Sequence, residues 1–104
     1  MNHKQTIVTP PLDREPRRIR PPFNIEGPFD RWPDVPGETN DEWRARVRAD
    51  RVAALLESLD AAGVELGAYD RRIAEWAAEV WDTAALGTVC SWLARAAESG
   101  RENR

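Results

Sequence analysis

Few side chains here have the type and spacing for bond-making chemistry. The chain holds one cysteine, Cys90, and one histidine, His3. A lone cysteine cannot close an intramolecular disulfide, and one histidine with one cysteine does not make a metal cluster, so a zinc site is excluded. Cys90 falls on the apolar side of a predicted helix, where a thiol acts as a small core residue rather than a nucleophile. The carboxylates of the second half alternate with arginines as they do on a solvated helix face, and no glycine-rich loop is spaced to cradle a phosphate. The chain therefore reads as no enzyme, with no catalytic residue, no cofactor and no metal.

Residues suited to recognition are more numerous. Phe23, Phe29 and Trp32 are interspersed among prolines, and Trp43 and Val47 follow shortly after. Aromatic anchors of this kind mark segments that wrap a partner or fold back on their own domain, and both readings stand for these five residues. Arg14, Arg17, Arg18 and Arg20 form a basic cluster that could touch phosphates, with Arg95 the one base-reading side chain between Thr83 and Ala97. Ala84, Gly87, Thr88 and Ser91 make a face of small side chains, which would admit a second helix closely. Pro33 and Pro36 match the bare PxxP spacing, read here as a hinge.

Two regions must position these groups. All eight prolines lie between Pro10 and Pro36. Residues 1–38 therefore form a Pro-rich extended or disordered arm, with too little apolar surface to order on its own. At Thr39 the signals change. Thr39 and Glu42 have capping-box spacing, which predicts a helix over about 40–62, closed by Gly63. Glu42/Arg46 and Arg46/Asp50 stand four apart along it. A second helix is expected over 68–80, with Tyr69, Ile73, Trp76, Ala77 and Val80 as its inward face. Asp82 caps a third over 83–98, ended by Ser99 and Gly100, with Leu86, Val89, Cys90, Leu93 and Ala97 inward. Residues 101–104 are a tail. Trp81 and Trp92 are expected at the edges of the core, with binding as the alternative.

The fold class is thus all-α: a small three-helix bundle over residues 39–100, preceded by a Pro-rich extended arm. Helix 1 is the exception to a single apolar stripe. Val52, Leu55, Leu56 and Leu59 face one way and Trp43 and Val47 nearly the opposite way, so either the arm covers the latter pair or a partner does.

Composition narrows the classes. The 104 residues carry 15 basic and 18 acidic side chains, net charge −3. Residues 1–37 carry six positive and five negative groups, and residues 38–104 nine and thirteen. An acidic helical part is a poor nucleic-acid surface. A helix-turn-helix-like DNA-associated regulator would need helix 3 in the major groove, and that helix offers little to base edges. There is no membrane-length apolar run and no apolar signal segment, so the expected site is the cytoplasm. Fourteen of the fifteen basic residues are Arg and fifteen residues are Ala, as GC-rich coding sequence favours.

The stretch Val64 to Ile73, then Trp76, Asp82-Thr83-Ala84 and Ser91-Trp92-Leu93, resembles small uncharacterised proteins of actinobacteria and their phages or integrating elements, over about residues 40–97. The resemblance implies an accessory protein that acts by binding and brings no catalytic or ligand residues with it. The expectation is a non-enzymatic protein-interaction module, a phage or mobile-element accessory protein that binds and modulates a host protein. The DNA-associated regulator and a self-associating structural protein, a homo-oligomer through the small-residue face, are the alternatives.

Overall fold

The computed structural model describes residues 9–102. The first eight residues of the predicted arm and residues 103 and 104 of the predicted tail lie outside them. Three helices follow one another, α1 (Asn40–Ala61), α2 (Ala68–Val80) and α3 (Thr83–Glu102), and the described residues contain no strand.

Local chemistry sets most of the helix ends. The Thr39 hydroxyl accepts from the Glu42 amide at 3.1 Å, and Glu42 Oε1 accepts from the Thr39 amide at 2.9 Å. Two amides that lack partners at a helix start are thereby satisfied together. Gly63 closes α1 at φ +82°, a conformation that is cheap only without a Cβ. At the start of α2 the Gly67 amide donates to Asp70 Oδ2, and at the start of α3 the Ala85 amide donates to Asp82 Oδ1 at 2.8 Å.

The C-terminus of α3 differs from expectation. Ser99 and Gly100 do not stop the helix, which continues to Glu102. Glycine costs a helix interior about 1 kcal/mol relative to alanine, and only a left-handed turn makes it a stop. Gly100 does not adopt that turn.

α1 is the central element. It packs against both α2 and α3, which touch each other little beyond their shared corner. The helices therefore pack as α2 and α3 on α1, and not as a bundle in which every helix meets the other two. The core of buried hydrophobic residues is Ala54 and Leu55 of α1, Ala74, Ala77 and Ala78 of α2, Leu86 and Cys90 of α3, and Ile19 and Phe23 of the Pro-rich segment. Half-buried Leu12, Trp32, Val52, Leu56, Leu59, Trp81, Val89 and Leu93 surround them.

The inward face of α2 is the main correction. Of the five residues expected there, only Ala77 is buried, and Tyr69, Ile73, Trp76 and Val80 point to solvent. The helix lays an alanine face, Ala74, Ala77 and Ala78, on α1 instead. Small side chains let two helix axes approach closely, and Ile19 and Phe23 supply core volume that α2 would otherwise have provided. Arg51 of α1 fixes the contact by donating to the carbonyls of Ala78 and Trp81 at the end of α2 and to Thr83 Oγ1 at 3.2 Å. Partial burial pulls its pKa down from the usual arginine value, and Asp82 opposes that shift.

Candidate functional site

Residues 9–38 hold neither helix nor strand, yet they are bonded to the helices along their length. Thr9 donates to Glu98 through its amide at 2.8 Å and its hydroxyl at 2.6 Å. Arg20 reaches Asp50 at 3.0 Å and Glu57 at 3.1 Å. The Trp32 indole donates to the second oxygen of Asp50 at 2.8 Å, and the Trp43 indole donates to the Trp32 carbonyl at 3.0 Å. Arg46 does not use its i±4 carboxylates. Glu42 serves the cap and Asp50 is taken by Trp32 and Arg20, so Arg46 turns to Glu38 at 2.9 Å. That hydrogen bond and the arginine charge hold the Glu38 carboxyl below the usual carboxylate range.

This geometry assigns positions to the recognition residues. Phe23 is 2% exposed and belongs to the core, so it is no free anchor. Trp32 and Trp43 are half-buried and linked to each other. Val47 is half-buried in a shallow cavity of about 220 Å³ lined also by Trp43, Arg44, Arg48, Arg51, Ala78 and Glu79. Phe29 stays exposed, with the Arg17 guanidinium 4.4 Å above its ring, in cation-π range.

The small-residue face of α3 is not open to a second helix. Gly87 and Ser91 are buried, and Ala84 and Thr88 half-buried. A Cβ at Gly87 would collide with the Arg18 carbonyl and meet Pro16 Cγ at 3.0 Å. Close approach of a backbone is what a glycine here permits, and the backbone is the chain's own. Thr88 Oγ1 donates to the Ala84 carbonyl at 2.8 Å, one turn back.

The arginine cluster is largely engaged within the molecule. Arg14 lies 3.5 Å from Glu26, Arg18 lies 3.8 Å from Asp30, Arg17 covers Phe29 and Arg20 bridges Asp50 and Glu57. Arg95 is half-buried, with its Nε unpartnered. The five do not form one open basic surface.

Cys90 is fully buried, and desolvation pushes its thiol pKa up. Such a thiol is protonated and unreactive at neutral pH. Among the described residues no group of three or more His, Cys, Asp or Glu side chains could hold a metal ion, and no helix is long and apolar enough to cross a membrane.

What remains open is the outer face of α2. Tyr69 is 69% exposed, Ile73 43%, Trp76 55% and Val80 53%, and Trp92 on α3 is 58% exposed. Isolated exposed hydrophobic residues are ordinary, but four large ones in line on one helix are not. Their steps of four, three and four residues keep them on a single stripe. The sequence pattern identifies this stripe correctly and its direction wrongly. The signal that could have set the direction is the competing alanine face of the same helix, together with Ile19 and Phe23 upstream. Comparison with protein-family models, curated proteins and solved structures finds no match to this chain.

Proposed function

We propose that this chain is a non-enzymatic protein-interaction module: a three-helix bundle, braced by its own Pro-rich arm, that presents the apolar outer face of α2 to a protein partner. The observation that carries this reading is the exposure of Tyr69, Ile73, Trp76 and Val80 on one stripe of one helix. An amphipathic helix normally buries such a stripe, and Trp and Tyr are the residues that most often dominate binding energy when a partner covers them. The arm then has a structural role. Phe23, Trp32 and Trp43 serve the fold, and among the aromatic residues upstream of α2 Phe29 is the one a partner could still reach. The resemblance to small proteins of actinobacterial phages and integrating elements suits an accessory protein of the cytoplasm that modulates a host factor.

A DNA-associated role draws less support. Arg14, Arg18 and Arg20 already face carboxylates, and phosphate binding would have to displace those contacts.

The test is affinity capture from an actinobacterial lysate, with nuclease, using the full chain and the Tyr69→Ala/Trp76→Ala variant at equal helicity by circular dichroism. Protein captured by the wild type and lost with the variant is the expected result. Capture that ignores both substitutions, or that vanishes with nuclease, overturns the reading.

A further inference from the structure

We infer that the occupant of the α2 stripe is a second copy of this chain, docked as an antiparallel, two-fold pair of α2 helices. The inference rests on the reading that this face binds protein and goes further by naming the partner. Steps of four, three and four residues are the spacing of a coiled-coil seam, with Ile73 and Val80 as one set of knobs and Tyr69 and Trp76 as the other. Buried Ala74 and Ala78 lie in a different sector of the helix, with buried Ala77 at the edge of the stripe, so α1 and an incoming helix take adjoining faces rather than the same one.

Size and charge both select the orientation. A parallel pair would set Trp76 against Trp76 and Tyr69 against Tyr69, leaving Ile73 and Val80 to fill the layers between. The antiparallel pair sets Trp76 against Ile73 of the second copy and Tyr69 against Val80, one large ring with one aliphatic side chain in every layer. Residues flanking the seam along one edge are Arg72 and Glu79. In the antiparallel pair Arg72 of each copy lies beside Glu79 of the other, so two opposite-charge contacts form about the two-fold axis. In the parallel pair Arg72 faces Ala77. A two-fold contact requires that residue i meet j while j meets i, and Arg72 with Glu79 satisfies that requirement within one helix.

Glu79 already lies 3.4 Å from Arg48, with both side chains more than half exposed. An exposed pair of that kind is weakly held, and a carboxylate can accept from two guanidinium groups. Four residues on a 13-residue helix make a small interface, below the standard size of about 1,600 Å². The expected dimer is accordingly weak, with a dissociation constant on the order of micromolar.

Sedimentation of the purified full chain across roughly 1 to 300 μM tests this directly, the range bracketing a micromolar constant. The mass should rise from 11.8 kDa toward twice that value. Arg72→Glu alone and Glu79→Arg alone should each weaken the dimer roughly ten-fold, since each places like charges together twice, and the double exchange should restore it. Trp76→Ala should keep the chain monomeric throughout. A wild type that is monomeric at the highest concentration overturns the second-copy assignment, as does a dimer insensitive to Trp76→Ala. A dimer that the double exchange fails to restore overturns the antiparallel arrangement. If the chain is monomeric yet lysate capture depends on Tyr69 and Trp76, this inference fails while the protein-binding reading stands. If neither dimer nor capture depends on them, both fail.

Discussion

The arm-covered side of α3 and the outer side of α2 dispose of apolar and small residues in opposite ways. On α3, Gly87, in a face of small residues that looks like surface, is covered by the Arg18 backbone and the Pro16 ring. On α2, a row of large residues that looks like core is left in water. The difference is a matter of which neighbour arrives. Ile19 and Phe23 share the buried core with residues of all three helices, and α2 contributes only alanines to it. A large side chain is buried only where the packing leaves it a place, so hydrophobicity alone does not decide which face of a helix turns inward.

The contrast is sharpest in stability. Phe23→Ala removes a ring from the core and should lower unfolding stability by about 3–5 kcal/mol, a large share of what a small domain has. Trp76→Ala removes a larger ring from the outer face of α2. In dilute solution it should change stability by less than about 1 kcal/mol. Chemical denaturation of the two variants side by side measures this, and equal losses would erase the distinction between the two sides.

Gly87→Ala comes next. Its new methyl group meets the Arg18 carbonyl and Pro16, so the arm must shift, and overpacking of this kind costs about 1–3 kcal/mol. Hydrogen exchange should then rise in residues 9–23 and stay unchanged in α2. A neutral Gly87→Ala would mean that the arm does not lie on α3.

The smallest effect concerns the hinge between arm and α1. The Arg46 hydrogen bond and charge hold the Glu38 carboxyl below its unfolded value. The folded-state pKa is depressed, so the contact contributes fully above the unfolded pKa and is lost as the pH falls through the folded one. Thermal melts from pH 6 downward should show wild type more stable than Glu38→Gln at the upper end, the two converging in acid.

Much of the fold is legible in the sequence because it is written in local chemistry. Thr39, Glu42, Gly63 and Asp82 mark helix ends by hydrogen bonds within a few residues, and these signals do not depend on the rest of the chain. The α3 interior of Leu86 and Cys90 is readable from its helical period. Direction and coverage are not. Tyr69 and Trp76 turn outward and Ala74 and Ala78 inward in a core that also takes in Ile19 and Phe23, some fifty residues earlier in the chain. The long-range contacts of Thr9 with Glu98 and of Arg20 with Asp50 and Glu57 likewise have no periodic signature. Gly87 signals that something approaches closely, and only the structure shows that the chain's own arm does so.

Hydroxyl-radical footprinting of the dilute full chain, read residue by residue by mass spectrometry, distinguishes a solvent-facing α2 stripe and a buried arm from the reverse. Tyr69, Trp76 and Trp92 should be modified rapidly and Phe23 strongly protected, with Trp32 between them. Fast labelling of Phe23 together with protection of Tyr69 and Trp76 at the same dilution would contradict this arrangement, because α2 would then bury its aromatic stripe and the arm would not be part of the core.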